Sequence, residues 1–228
     1  QFRGMSKEVQ EFREKFKEEP YWTNRAFGGM PTYQLSTYYP HDYIKKLDAA
    51  IRFLPRPADY LFLYFFGFFI LLLSLKIDWK MAILGALAFG FSTYLIIILG
   101  VGHNAKAHAI GYMPLVLAGM VLEYEKKYLP GFVLTAIALA LEIAASHPQM
   151  TYYLFFMGLI YGIIMGIDSL RNKHLPDFLK STGLILLAAI LALGINASSL
   201  LATKEYASES TRSKTELTIN PDGTEREQ

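Results

Sequence analysis

Polar side chains that could take part in chemistry are concentrated in two short segments of an otherwise apolar sequence. The residues are His103, Asn104, Lys106 and His108 in the first segment, and Glu142, His147 and Gln149 in the second. Ionisable groups among long apolar stretches are costly to bury and often functional. We interpret the segments as parts of one outward-facing polar site. The alternative is that each residue only caps a helix or holds a loop.

Other kinds of site have less support in the sequence. His103, His108 and His147 could in principle ligate a metal ion, but the first two do not share one helical face. The chain has no cysteine, which excludes disulfides, thiolate zinc sites and a catalytic thiol. The sequence also lacks HExxH, GxSxG, P-loop and dinucleotide-binding motifs. No cofactor is evident, and a divalent metal ion is possible but not indicated.

The composition is that of a membrane protein. The 228 residues are 53% hydrophobic and only 18% charged, and the mean hydropathy is +0.25. Soluble domains usually carry about 25% charged residues. The net charge of +2 is too small to predict nucleic-acid binding. We therefore expect the lipid bilayer to be a partner and nucleic acid not to be one.

Apolar stretches predict an all-α integral membrane protein with about six transmembrane helices. A helix needs about 20 residues, with a range of about 17–25, to cross the hydrocarbon core. The predicted spans are 58–75, 81–101, 105–122, 129–145, 149–167 and 178–196. A soluble bundle of buried helices is the alternative, but these stretches lack the polar stripe of a water-facing helix.

Basic residues between the stretches predict the orientation, because short cytoplasmic loops are enriched in lysine and arginine. The basic residues of the first, third and fifth loops are Lys76 and Lys80, Lys126 and Lys127, and Arg171 and Lys173. The second loop, taken as Gly102–His108 for this count, has only Lys106, and the fourth, His147–Gln149, has no lysine or arginine. We expect the odd loops to be cytoplasmic and both ends of this chain to be extracytoplasmic.

The regions outside the apolar stretches are polar. Residues 1–57 are predicted to form an extracytoplasmic loop, 58–196 the transmembrane bundle, and 197–228 the start of a truncated extracytoplasmic segment. Residues 1–57 contain no apolar segment typical of a signal peptide, although the orientation requires their export. The sequence also begins at Gln1. We therefore expect the chain to be a fragment that follows at least one upstream transmembrane helix.

Two amphipathic helices are predicted before the first span. The apolar residues of the first are Met5, Val9, Phe12 and Phe16, with Ser6 as its N-cap. Those of the second are Ile44, Leu47, Ile51 and Leu54, and Pro55 and Pro57 end it. Each helix would lie in the membrane interface or pack on an outer domain.

An aromatic loop lies between these two helices. It contains Trp22, Asn24 and Arg25, and Gly28-Gly29 with Pro31 indicates a tight turn. Its aromatic side chains would stack on a sugar ring or anchor the loop at the lipid headgroups. We include the three polar and aromatic residues among the substrate-binding candidates.

Four motifs in this order resemble the YfhO family of bacterial multi-span membrane proteins. They are Trp22–Asn24 with Phe27–Gln34, Gly102–Ala109, His147–Tyr153, and Glu205–Tyr206 with Ser210–Arg212. The resemblance extends from about Gly4 to Arg212. That family is similar to the GT-C class of integral-membrane glycosyltransferases, so the resemblance implies a partial GT-C-like fold in a bacterial cytoplasmic (inner) membrane.

The resemblance also implies an activity. A GT-C enzyme transfers a sugar from a polyprenyl-phosphate carrier to an extracytoplasmic acceptor, here a cell-envelope glycan. The general-base carboxylate of that class follows the first span, which would place it upstream of Gln1 and leave the catalytic residue of this chain unknown. The alternatives are a transporter or flippase for a lipid-linked or small substrate, and a non-catalytic membrane assembly protein.

Glu142 is the one carboxylate inside an apolar stretch near the second polar segment. We predict that it is buried and pairs with Lys106 or with a histidine. The alternative is a neutral carboxyl group that bonds only to backbone or hydroxyl groups such as Ser146.

Overall fold

The computed structural model describes residues 2–25, 28–34 and 41–208, and side chains within these ranges other than those of 2–6 and 34. Several sequence-based predictions lie outside the described part. They concern Phe27 of the aromatic loop, the Met5 side chain, the Ser210–Arg212 motif and the polar tail Thr215–Gln228.

The chain forms two compact units. The first comprises Gln1–Asp42 with Ala197–Gln228, and the second comprises Tyr43–Asn196. In the first unit, helix α1 (Phe2–Phe16) precedes a two-residue antiparallel pair of strands, β1 (Trp22–Thr23) and β2 (Met30–Pro31), and a short 3-10 turn at Thr32–Gln34.

Helix α1 starts earlier than its sequence pattern indicates. It begins at Phe2, so Ser6 lies within the helix, whereas an N-cap residue has a non-helical backbone. The predicted Ser6 N-cap is therefore wrong. The apolar face is correct where it is described: Val9 is buried, and the rings of Phe12 and Phe16 lie 4.7 Å apart.

The second unit contains eight helices in its described residues. They are α2 (Tyr43–Ile51), α3 (Ala58–Ser74), α4 (Trp79–Gly90), α5 (Thr93–Val101), α6 (Asn104–Tyr124), α7 (Tyr128–Ala144), α8 (Pro148–Arg171) and α9 (Leu175–Ile195). Helix α10 (Ala197–Ser208) belongs to the first unit. Helix α2 ends at Ile51, before Pro55 and Pro57, which were expected to end it.

Helices occupy all six apolar stretches, but the second stretch is broken. Helices α4 and α5 meet at an angle of 47°. Phe91 closes α4, and Ser92 precedes the first turn of α5. Gly102, with φ of +83°, ends α5 in the left-handed conformation, which glycine adopts at no steric cost.

Among the described residues, three helices are long and apolar enough to cross a membrane, namely α6, α8 and α9, and the α4–α5 pair qualifies if it is one bent span. Helices α3 and α7 are apolar but have only 17 residues each, the lower limit for a span. The chain is thus all-α with helices that could span a membrane.

Burial differs sharply among the long helices. Helix α6 packs against α3, α7, α8 and α9, and 67% of its apolar window is buried. The corresponding fractions are 11% for α8 and 17% for α9. Large exposed apolar surfaces are unusual on soluble monomers and mark contact with a membrane or a partner.

Glycines allow α6 and α7 to pack closely. A Cβ atom on Gly119 would lie 2.7 Å from the Thr135 backbone nitrogen, and one on Gly131 would lie 2.7 Å from the Glu123 nitrogen. At this crossing the Thr135 hydroxyl donates to Glu123 Oε1 at 2.9 Å. Both polar residues are buried, so the crossing combines small residues with an interhelical hydrogen bond.

Ion pairs join the first loop, the third loop and the start of α9 at one end of the bundle. Lys76, in the first loop, pairs with Glu125 in the third. Lys126 pairs with Asp177, in the first turn of α9, at 2.6 Å. These contacts place the three segments at one end of the unit, as the alternation of the apolar stretches predicts.

Candidate functional site

A cluster of charged and polar side chains lies where α2 packs on the bundle. Ile44 and Ile51 of α2 contact the apolar core, and Asp48 lies between them on the same helical face. Burial of the two isoleucines brings the carboxylate into the bundle, where Asp48 is 8% exposed. A buried charge must be paired or hydrogen-bonded, because leaving water costs several kcal/mol per ion.

Helix α6 supplies two partners for Asp48. Oδ1 lies 2.5 Å from Nε2 of His108 and accepts a 2.7 Å hydrogen bond from the Tyr112 hydroxyl. His108 and Tyr112 are four residues apart and therefore lie on the same face of α6. One carboxylate oxygen thus ties α2 to the first turns of α6.

Arg52 connects the same carboxylate to α3. Its guanidinium donates to Asp48 Oδ2 through Nη2 at 2.5 Å and to Asp59 Oδ2 through Nη1 at 2.7 Å. Asp59, in the first turn of α3, is 2% exposed, and its Oδ1 has no hydrogen-bond partner among the described residues. The Nε of Arg56 approaches Asp59 Oδ2 to 3.9 Å.

The ring of Tyr60 packs beside these charges. The guanidinium carbons of Arg52 and Arg56 lie 5.2 and 5.5 Å from the ring centroid, which is cation–π distance. The centroid of the His108 ring lies 5.7 Å from that of Tyr60. The buried Tyr60 ring therefore packs beside both guanidinium groups and the imidazole.

These contacts define the protonation of Asp48. Burial by itself would raise its pKa, but hydrogen bonds from His108, Arg52 and the Tyr112 hydroxyl hold the pKa well below its ordinary value of 3.8. The pKa of Arg52 is raised above its ordinary value, because the Asp48 and Asp59 carboxylates outweigh the effect of burial. Both residues are therefore charged at neutral pH.

An ionised carboxylate can only accept hydrogen bonds, so Nε2 of His108 must carry a proton. The other nitrogen, Nδ1, is then the one that can accept a proton from another group. A carboxylate that fixes the tautomer and orientation of an imidazole is the arrangement found in general-base pairs. The geometry of Asp48 and His108 permits acid–base chemistry at Nδ1.

The structure brings His108 into this cluster but not its neighbours in sequence. His103 and Asn104 are exposed at the start of α6. Lys106 is half-buried, and its Nζ lies 5.2 Å from the centre of the Tyr94 ring on α5. The four substrate-binding candidates of this segment therefore do not form one compact set of side chains.

Glu142 does not form the predicted ion pair. Its side chain is fully buried, and its Oε1 and Oε2 accept hydrogen bonds from the Thr151 hydroxyl of α8 at 3.1 and 3.0 Å. Neither Lys106 nor a histidine pairs with it among the described residues. The alternative prediction, a hydroxyl partner for Glu142, is correct, but the hydroxyl belongs to Thr151. Ser146, the residue named in that prediction, donates instead to the Ala144 carbonyl.

The other residues of the second polar segment also have local roles. His147 directly precedes α8, and its Nδ1 is buried without a hydrogen-bond partner in the described part of the chain. The amide of Gln149 donates to the Tyr153 hydroxyl at 2.8 Å on an exposed surface.

The aromatic-loop candidates lie in the first compact unit. The Trp22 indole nitrogen donates to Asn24 Oδ1 at 3.0 Å. The Trp22 ring covers Gly29, where an added Cβ would lie 2.7 Å from the ring. The Arg25 backbone donates to the Thr23 hydroxyl oxygen at 3.3 Å, and the residue is exposed. These contacts shape the β1–β2 turn.

No group of three or more histidine, cysteine or acidic residues within 2–25, 28–34 and 41–208 is arranged to hold a metal ion. His103, His108 and His147, which were considered as metal ligands, have different surroundings. His108 bonds to Asp48, while His103 is exposed.

Sequence reasoning missed most members of the cluster, which are Asp48, Arg52, Asp59, Tyr60 and Tyr112. One signal was present. Asp48 stands between Ile44 and Ile51 at helical spacing, so an ionisable residue occupies the centre of an apolar face. An acid at that position must find a buried partner, and two of its partners, His108 and Tyr112, lie 60 and 64 positions away.

The chain matches no protein-family model and no curated protein, and its fold matches no solved structure.

Proposed function

We propose that this chain forms part of a membrane glycosyltransferase that moves a sugar from a polyprenyl-phosphate carrier to an extracytoplasmic glycan acceptor. The observation that carries the proposal is the Asp48–His108 pair, which lies beside apolar helices at one end of the bundle. The sequence resemblance to the YfhO and GT-C proteins supplies the substrate class.

The proposal includes a membrane arrangement. The helices in all six apolar stretches cross the membrane, with α4 and α5 forming one bent span. The loops at Lys76, Lys126 and Arg171 lie in the cytoplasm. The Asp48–His108 pair then lies at the extracytoplasmic interface, where the phosphate of a lipid-linked donor is located.

In this mechanism Nδ1 of His108, rather than an upstream carboxylate, takes the proton from the acceptor hydroxyl. The acceptor oxygen forms a bond to the anomeric carbon while the bond from that carbon to the phosphate oxygen breaks. The polyprenyl phosphate leaves with the electron pair, and nearby cations stabilise its charge. Asp48 is a positioning residue that holds His108 in the required tautomer.

The test is sugar transfer by the full-length protein in membranes. His108→Gln should lower the transfer rate by about a hundredfold or more, the usual contribution of a general base, with little change in KM. His103→Gln is the matched control, because this exposed histidine has no contact with Asp48. Equal rates for the two variants would refute the assignment of His108.

A flippase is the second candidate, and the break between α4 and α5 favours it. Discontinuous helices near the middle of the membrane are a feature of transporters. Reconstituted protein that moves a fluorescent lipid-linked sugar across vesicles without transferring the sugar would support this function. Transfer without movement would support the glycosyltransferase.

A further inference from the structure

One cation beside the Asp48–His108 pair remains accessible. Arg52 is committed to two carboxylates, because it donates to Asp48 and Asp59, and its side chain is only 13% exposed. The Arg56 side chain is 58% exposed, and its Nε lies 3.9 Å from Asp59 Oδ2, which is too far for a hydrogen bond. Within the described part of the chain, the Arg56 guanidinium therefore keeps its donors for an external group.

The buried ring of Tyr60 holds Arg56 near the imidazole of His108. The guanidinium carbon of Arg56 lies 5.5 Å from the centroid of the Tyr60 ring, and the centroid of the His108 ring lies 5.7 Å from the same point. The separation of the two groups cannot exceed the sum of these distances. An accessible cation and a proton acceptor thus lie within reach of one substrate molecule.

These two groups suit a substrate that carries a phosphate ester. The planar guanidinium forms bidentate hydrogen bonds with phosphate. Glycosyl transfer removes a proton from the acceptor hydroxyl and leaves negative charge on the departing phosphate, so it needs a base and a cation at different positions. Lys106 does not supply this cation beside Tyr60, because its Nζ packs over the ring of Tyr94.

We propose that Arg56 binds the phosphate of the lipid-linked sugar donor next to His108. The proposal rests on the proposed function and names the residue that receives the leaving polyprenyl phosphate. When the bond between the anomeric carbon and the phosphate oxygen breaks, that oxygen keeps the electron pair. Arg56 stabilises its charge by hydrogen bonds and transfers no proton, and Tyr60 is a positioning residue for the guanidinium.

Equilibrium binding to the full-length protein in mixed micelles tests this assignment without sugar transfer. The probe is polyprenyl phosphate, and polyprenol of the same chain length is the phosphate-free comparison. Arg56→Gln should weaken binding of polyprenyl phosphate by about tenfold or more, as expected for lost hydrogen bonds to a charged group. Polyprenol should bind this variant and the unaltered protein equally.

Two further variants separate a specific contact from general surface charge. Arg56→Lys should retain part of the affinity, because lysine keeps the charge but loses the bidentate geometry. Lys46→Gln is the matched control, since Lys46 is also an exposed cation and its Nζ lies 5.1 Å from the centroid of the Tyr43 ring. Its affinity for polyprenyl phosphate should equal that of the unaltered protein.

Unchanged affinity in Arg56→Gln would overturn the proposal, and so would an equal loss in Lys46→Gln. Displacement of polyprenyl phosphate by phosphatidylglycerol at an equal concentration would assign Arg56 to a phospholipid headgroup and overturn the donor assignment. Binding that depends on Arg56 in a protein that transfers no sugar would refute the glycosyltransferase while leaving the phosphate site intact.

Discussion

Asp48 joins three helices through one carboxylate. It belongs to α2, accepts hydrogen bonds from two residues of α6, and shares Arg52 with Asp59 of α3. Removing one partner from such a buried set leaves another charge uncompensated, at a cost of about 3–5 kcal/mol. The cluster therefore holds α2 on the bundle in addition to orienting His108.

Acid should weaken this attachment. Because the folded-state pKa of Asp48 lies below its ordinary value of 3.8, its contribution to stability is complete above about pH 4 and is lost as the pH falls towards the folded-state pKa. Thermal unfolding followed by circular dichroism between pH 7 and pH 3 should show this loss. In Asp48→Asn the protein should be less stable at pH 7 and lose less stability on acidification.

Glu11→Gln is the control for that measurement. Glu11 forms an exposed pair with Lys7 on α1, and such pairs contribute about 0–1 kcal/mol. An acid dependence in Asp48→Asn identical to that of the unaltered chain would show that Asp48 does not cause the loss.

The Thr151 hydroxyl should matter more than the charge of Glu142. Thr151→Val leaves the buried carboxyl without its donor and should destabilise the protein by about 1–3 kcal/mol. Glu142→Gln retains an oxygen that accepts from Thr151 and should cost less. Denaturant unfolding in detergent measures both, with the exposed Thr93→Val as control. A neutral Thr151→Val would contradict the assigned role of this hydrogen bond.

At the scale of elements, the closest packing joins α6 and α7. Gly119 and Gly131 face backbone atoms of the opposite helix, and backbone cannot move aside as a flexible side chain can. The crossing brings Thr135 to Glu123, so the separation of the helices also decides whether a buried acid is satisfied.

Adding one methyl group should separate these helices. Gly119→Ala and Gly131→Ala should each cost about 1–3 kcal/mol, the usual effect of overpacking, measured as a lower midpoint of thermal unfolding. Gly183→Ala and Gly194→Ala are matched controls on α9, because a Cβ at either position meets no atom within 4 Å. Equal effects at all four positions would show that helix propensity, not close packing, determines the result.

At the scale of the whole molecule, the ends of the second compact unit differ in chemistry. One end contains the buried Asp48 cluster, and the other has surface ion pairs between Lys76 and Glu125 and between Lys126 and Asp177. The proposed orientation places the first end outside the cytoplasm and the second inside it.

Single cysteines can test this orientation directly, because the chain has no native cysteine. A membrane-impermeant maleimide should label Ala105→Cys from outside intact cells, and Glu125→Cys only after the membrane is permeabilised. Loss of the exposed Lys76–Glu125 pair should have little effect on folding. The reverse labelling pattern would overturn the orientation and the extracytoplasmic position of His108.

The helices could be predicted from sequence because their causes are local. Long apolar runs, Gly102 and the charged loops indicate where α3 to α9 begin and end to within a few residues. The break at Phe91–Ser92 was not predicted, since its flanking residues are as apolar as those of a continuous helix. The start of α1 was also missed, because Ser6 is compatible with a helix interior as well as with an N-cap.

The site depended on tertiary structure. Sequence alone marked His108 as a candidate and predicted the burial of Glu142, which the structure confirms, because polar residues in apolar surroundings are conspicuous. It could not assign their partners: Asp48 and His108 are 60 residues apart, and Glu142 bonds across a helix junction to Thr151. Local composition determines which segments become apolar helices. Only the packing of those helices decides which buried polar groups meet, because a buried polar side chain must form its hydrogen bonds with the groups on the neighbouring helix.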